Sequence, residues 1–198
     1  MDADPDAELM LQVASGDQAA FATLFDRHAQ SVARFAYRFV GDRARAEELA
    51  QDIFVKVYRN AKSYRPNAKF KTFLFKVAAN HCLNEVRRGE YRVKHTSHEA
   101  EAEATGQELP GAQATSPDEE LHGKELERAV GEALGQMTER ERAAFTMCRF
   151  EGMAYREIAG ALAASEAAVK SLIHRATLAV ARKLSELQAG TLPARSRA

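Results

Sequence analysis

Between Gly89 and Thr115 the chain loses helical periodicity. The stretch HTSHEAEAEATGQELPGAQAT is poor in apolar side chains and punctuated by Gly and Pro, so it cannot bury enough surface to offset the entropy of ordering it. A chain interrupted in this way has to build its cores on either side. The sequence therefore predicts an all-α protein of two small helical domains, residues 1–89 and 116–189, joined by a flexible acidic linker over 90–115 and ending in a disordered tail over 190–198. Extended, about 26 linker residues reach roughly 80 Å.

The formal net charge is zero, with 28 basic and 28 acidic groups, which taken whole argues against a nucleic-acid partner. Its distribution argues the reverse. Residues 1–60 carry a net −3, 61–95 a net +7, 96–137 a net −8 and 138–198 a net +4. Two basic segments flank an acidic one, and such segregation decides which partners are attracted. No apolar run approaches the roughly 18 residues of a membrane span, and the start MDADPDAE is no signal peptide. The expected location is cytoplasmic. Cys82 and Cys148 both lie among apolar residues in helix-like segments, which predicts reduced, buried thiols.

On the N-terminal side a short helix over Asp6–Ala14 precedes Gly16, a left-handed stop, and Asp17, an N-cap. Phe21, Leu24, Phe25, His28, Val32, Phe35 and Phe39 recur at steps of three or four and give the next helix, to about Val40, one apolar face. His28 on that stripe reads as a packed, hydrogen-bonded histidine, since no His or Cys lies at ligand spacing. After Gly41 and Asp42 a third helix, to Asn60, turns Leu49, Ala50, Ile53 and Val57 inward and leaves Glu48, Gln51, Asp52 and Val55 outward. Phe54 sits where the two faces meet. An exposed acidic and amide patch with an apolar residue inside it suits protein docking better than acid-base chemistry, because nothing there shifts a carboxylate.

The run KFKTFLFKVAANHCLNEVRR, residues 69–88, carries the chemistry of this half. As a helix opened by Asn67, it aligns Lys69, Phe73, Lys76, Asn80, Asn84 and Arg87 on one stripe, with Arg88 beside them. Phe70, Leu74, Val77, Ala78, Cys82 and Val86 face a core. Cations hold phosphates, an exposed aromatic stacks, and amides hydrogen-bond to unpaired bases, so the stripe suits nucleic acid. His81 and Glu85 share a face at i and i+4, but no further metal ligand stands near them.

On the C-terminal side Ser116-Pro117-Asp118-Glu119 and Thr138-Glu139-Arg140-Glu141 are capping boxes. The first opens a helix bearing Leu121, Leu126, Val130, Ala133, Leu134 and Met137. The second opens one bearing Ala144, Phe145 and Cys148. A short helix over Tyr155–Leu162, a turn, and a long helix capped by Ser165 then read as a helix-turn-helix. The free face of its second helix carries Lys170, Ser171, His174 and Arg175, groups that meet base edges and phosphates in a major groove. An ordinary helical hairpin accounts for that pattern equally well when it is taken alone. No Gly-rich phosphate loop, HExxH or nucleophile-base pair is present, so the sequence predicts no enzyme, no cofactor, no metal and no small-molecule substrate.

GDQAAFATLFDRHAQSVARFAYRFVGDRARAEELAQDIFVKVYRN, FKTFLFKVAANHCLNEVRR and LGQMTERERAAF...EGMAYREIAGALAASEAAVKSLIHRA together resemble the extracytoplasmic-function (ECF) sigma factors of bacterial RNA polymerase. The resemblance implies a non-catalytic subunit that binds core RNA polymerase and directs it to promoter DNA, restrained by an anti-sigma factor. It assigns Glu48, Gln51, Asp52 and Phe54 to the polymerase contact. Residues 69–88 would melt and read the −10 element, with Asn80 near a flipped base and Phe73 where Trp is usual. The groove of the −35 element would receive Ser165, Glu166, Ala168, Lys170, Ser171, His174 and Arg175, and the linker would thread the polymerase's RNA channel. Three departures stand out: Ala163 for the usual turn Gly, Ala168 for a Thr, and Leu172 for a frequent Arg. They predict a weakened −35 reader. The runner-up, a helix-turn-helix regulator with an N-terminal sensory domain, leaves Gln51, Asp52 and the Phe73/Asn80 stripe without a reason.

Overall fold

Side chains that begin helices set the frame of the computed structural model, which describes residues 4–88 and 117–191. Asp4 caps α1 (Pro5–Ala14), with Pro5 at the first helical position. Asp17 accepts from the N–H groups of Ala19 and Ala20 to open α2 (Gln18–Val40), and Asp42 accepts from Arg45 N–H to open α3 (Arg43–Arg59). Gly41, at φ 69°, takes the left-handed conformation that turns α2 into α3. A 3-10 turn over Ala61–Ser63 leads to α4 (Phe70–Arg87). Here the sequence expectation fails in one detail. Asn67 does not cap α4, and the Asp4 carboxylate accepts from Phe70 N–H at 2.6 Å, tying the start of α1 to the start of α4.

The second half comprises α5 (Pro117–Gln136), α6 (Glu139–Arg149), α7 (Tyr155–Leu162) and α8 (Glu166–Thr191). Both halves of the Thr138/Glu141 capping box form. Ser116 lies outside the described residues, as do the linker and the tail beyond Thr191. Gly190 and Thr191, expected in the tail, belong to α8. Leu126, expected to face inward, is exposed, and Cys148 is only half-buried.

α4 occupies the centre of the N-terminal half. Phe70, Leu74, Phe75, Ala78, Ala79 and Cys82 are fully buried, and Phe35 meets Phe75 edge-on with ring centres 5.3 Å apart. Val77 and Val86 pack at the margin of this core.

The two halves do not stand apart. One continuous apolar core runs from α2, α3 and α4 into Met147, Met153, Ile158, Ala161 and Leu162. Its edges are polar. Ser31 donates to Glu151 at 2.6 Å, Lys71 donates to the Glu151 carbonyl, Lys69 pairs with Glu157 at 2.9 Å, and Arg38 lies 3.7 Å over the Phe150 ring. Arg142, buried at the junction, donates to the carbonyl oxygens of Leu134, Gly135 and Met137 at the end of α5 and of Phe39 at the end of α2. Four carbonyls from two helix ends provide the negative potential a buried cation needs, though burial still lowers its pKa.

Candidate nucleic-acid interface

Because its other faces are packed, α4 leaves one strip in water. Lys69, Lys76, Asn80, Asn84, Arg87 and Arg88 are exposed along it, and Phe73 is half-buried. The Phe73 ring is steadied edge-on against Tyr64 at 5.0 Å and tilted against Phe70 at 6.3 Å. Held this way, its remaining surface is available for stacking without a large loss of side-chain freedom. The two ends of the strip are engaged: Lys69 pairs with Glu157, and Arg88 with Glu85 at 3.3 Å.

His81 and Glu85 do not come together as ligands. His81 is buried, with Nδ1 accepting from the Lys56 ammonium and Nε2 3.6 Å from Asp52, beyond hydrogen-bond reach. Burial, and then the charge of Lys56, lower the His81 pKa. Glu85, also buried, accepts from Arg45 at 3.0 Å. The α3–α4 seam is thus an ionic packing surface. Its contributors Arg45 and Lys56 were missed from the sequence, where the only signal was a carboxylate inside an apolar face. Burial pushes the Cys82 thiol up to about 12, which leaves it unreactive. Among the described residues no group of three His, Cys, Asp or Glu could hold a metal, and no helix is long and apolar enough to cross a membrane. His28 is bonded to Asp6 at 2.7 Å and packs against Phe70.

Along α3, Glu48, Gln51, Asp52 and Val55 are exposed. Phe54 corrects the expected docking set. It is 2% exposed and lodged between Phe21 and Phe25, with ring centres 6.4 and 4.9 Å away. One step of about 100° around the helix separates it from Val55, and that step puts it in the core.

In the helix-turn-helix, Ser165 Oγ accepts from Ala168 N–H at 3.1 Å and caps α8. Glu166, Ala168, Lys170, Ser171 and His174 are exposed on its first turns, and Arg175, also exposed, pairs with Glu141. Leu172 is half-buried against the core, so its position offers no groove contact. Ala163 adopts φ 48°, ψ 53°, the left-handed conformation a turn glycine would supply. The turn geometry is kept in spite of the side chain.

Residues 24–92 match the family described as sigma-70 region 2, and residues 127–180 that described as sigma-70, region 4. The ECF RNA polymerase sigma factor SigE of Mycolicibacterium smegmatis is 34% identical over 82% of this chain and 62% of its own length. The RNA polymerase sigma-H factor of Pseudomonas aeruginosa is 30% identical over 93% of this chain and 96% of its own, and the ECF RNA polymerase sigma-E factor of Escherichia coli 31% identical over 92% and 95%. Among solved structures, CnrH in complex with the cytosolic domain of CnrY superposes with a TM-score of 0.68 at 26% identity, covering 92% of this chain and 99% of that one. RpoE of Bartonella quintana, bound to the anti-sigma factor NepR, shares the fold at a TM-score of 0.61 and 21% identity over 83% and 96%.

Proposed function

The chain belongs to the ECF sigma factors of the sigma-70 family, and on that premise we propose how its surfaces divide the work of starting transcription. The outer face of α3, with Glu48, Gln51 and Asp52 around Val55, docks on core RNA polymerase. The open strip of α4 takes the −10 element: Lys69, Lys76, Arg87 and Arg88 hold phosphates, Phe73 stacks at the edge of the opened duplex, and Asn80 and Asn84 hydrogen-bond to bases. The first turns of α8 enter the major groove of the −35 element through Ser165, Glu166, Lys170, Ser171, His174 and Arg175, with Ala168 offering a methyl contact. Residues 1–89 and 116–189 act as the two functional units, without catalysis, in the cytoplasm and under an anti-sigma partner.

One observation carries this reading. A helix buried on its other faces exposes Lys76, Asn80, Asn84 and Arg87 beside a steadied aromatic ring, and core packing gives no reason to place those groups there. Unpaired bases do.

Purified protein added to core polymerase should yield RNA from specific sites in host DNA. If it neither joins core nor starts RNA at any site, the proposal is wrong. Asn80→Ala should change the −10 base preference and leave core affinity intact. Loss of core affinity instead would move the reading face elsewhere.

A further inference from the structure

The first turn of α4 is held from far away in the chain. Lys69, the residue that precedes the helix, makes no side-chain cap bond. The Asp4 carboxylate takes that place and uses both of its oxygens: Oδ1 accepts from Asp6 N–H at 3.1 Å to start α1, and Oδ2 accepts from Phe70 N–H at 2.6 Å to start α4. Among short side chains only a carboxylate offers two acceptor oxygens, and its charge suits the positive ends of both helices. The turn so held carries the aromatic end of the strip. Phe70 is fully buried, with ring centres 5.5 Å from His28 and 6.3 Å from Tyr64. Phe73, one turn on, rests on Phe70 and Tyr64. α1 also packs against the 3-10 turn that leads into Tyr64, and burial, with the Asp4 charge added to it, raises the Tyr64 pKa. One side chain therefore borders both rings that steady Phe73.

We propose that Asp4 is a positioning residue for strand opening: by fixing the first turn of α4 it sets the Phe73 ring in place before the edge of the opened −10 duplex arrives. The inference rests on the promoter reading above. The first N–H groups of a helix have no partner within it, and a helix end left without a cap frays. A ring that must be ordered as it meets a base loses part of the stacking free energy to its own immobilisation. Without Asp4 the Phe70 N–H is orphaned, and the turn bearing Phe73 loosens. Asn80, Asn84 and Arg87 lie about two turns or more beyond Phe73, past the reach of such fraying. Glu48, Gln51 and Asp52 stand on another helix. Loss of the cap should therefore impair opening of the duplex and spare both base reading and core docking.

The test uses the full chain with core polymerase, on a host promoter that it selects and on the same promoter with its −10 element already opened by mismatched bases. The readout is the ratio of RNA made from the duplex to RNA made from the mismatched template. Asp4→Ala should lower that ratio about fivefold, the low end of what one stacked base contributes. Asp4→Asn, which keeps one acceptor oxygen, should fall between. Asp17→Ala removes the equivalent cap from α2 and should leave the ratio at the wild-type value, because lost folding lowers both templates alike. Adding Asp4→Ala to Phe73→Ala should lower the ratio no further than Phe73→Ala alone, since Asp4 acts through that ring. A wild-type ratio in Asp4→Ala, a ratio just as low in Asp17→Ala, or additive losses from Asp4→Ala and Phe73→Ala would each overturn the inference and leave the promoter reading standing. A wild type that makes no RNA from either template refutes the promoter reading, and the role of Asp4 falls with it.

Discussion

Replacing Ala163 with glycine should stabilise the protein. Ala163 holds the left-handed region at φ 48°, where an L side chain crowds the following carbonyl at a cost of about 1–2 kcal/mol. Glycine removes that crowding and adds unfolded-chain freedom, which returns about 0.4–1 kcal/mol. The net gain should be about 0.5–1 kcal/mol, or about 1–4 °C in Tm for a chain of this length. Ala167→Gly is the matched control. Ala167 is exposed in the first turn of α8, and glycine there should lower stability by about 0.5–1 kcal/mol. Thermal unfolding followed by circular dichroism at 222 nm reads both, with opposite signs expected. If Ala163→Gly lowers the Tm as much as Ala167→Gly does, the turn carries no strain and the reasoning is refuted.

Phe54→Ala should cost about 3–5 kcal/mol in a urea melt, whereas Val55→Asp should leave stability within about 0.5 kcal/mol and weaken core polymerase binding about tenfold in a titration. Equal effects on both assays would show that the two faces of α3 are misassigned. Arg142→Met should cost about 2–4 kcal/mol in urea, because the Phe39 carbonyl and the end of α5 lose a buried donor. Burial raises the Asp6 carboxyl while His28 and Arg27 draw it below its ordinary value, so its contribution is present above the unfolded pKa and is lost as pH falls through the folded one. Asp6→Asn should therefore cost about 1 kcal/mol at pH 7 and nothing once acid has protonated the wild type, as paired melts at the two pH values would show.

Helix starts are legible at Asp17, Asp42, Thr138 and Ser165, whose side chains lie within three residues of the N–H they serve, but not at Asp4, which caps α1 through Asp6 N–H although the sequence reading begins that helix at Asp6. Nor is the start of α4, because its cap, Asp4, lies 66 residues upstream. Periodicity placed the α4 strip, since a 3.6-residue repeat separates wet from dry when one face is polar. It could not sort Phe54, which lies at the boundary between faces, where one residue's rotation about the helix axis decides. The docking of α7 on α4 left no trace in the pattern. Lys69 reads from the sequence as a phosphate contact and Glu157 draws no reading at all, and their pairing depends on how two finished domains meet. The resemblance that named the family likewise described two separate units and said nothing of their contact.

Half of the 18 residues of α4 are buried, and this sets how the helix can be re-engineered. A chimera that imports a whole foreign helix would replace Phe70, Leu74, Phe75 and Cys82 along with the exposed strip, and so disturb the core together with the surface. On the proposed reading, the four exposed positions Lys76, Asn80, Asn84 and Arg87 are separable from that core, whereas Phe73 is tied to it through Tyr64 and Phe70. If that reading holds, libraries confined to those four should vary promoter choice with little penalty in folding.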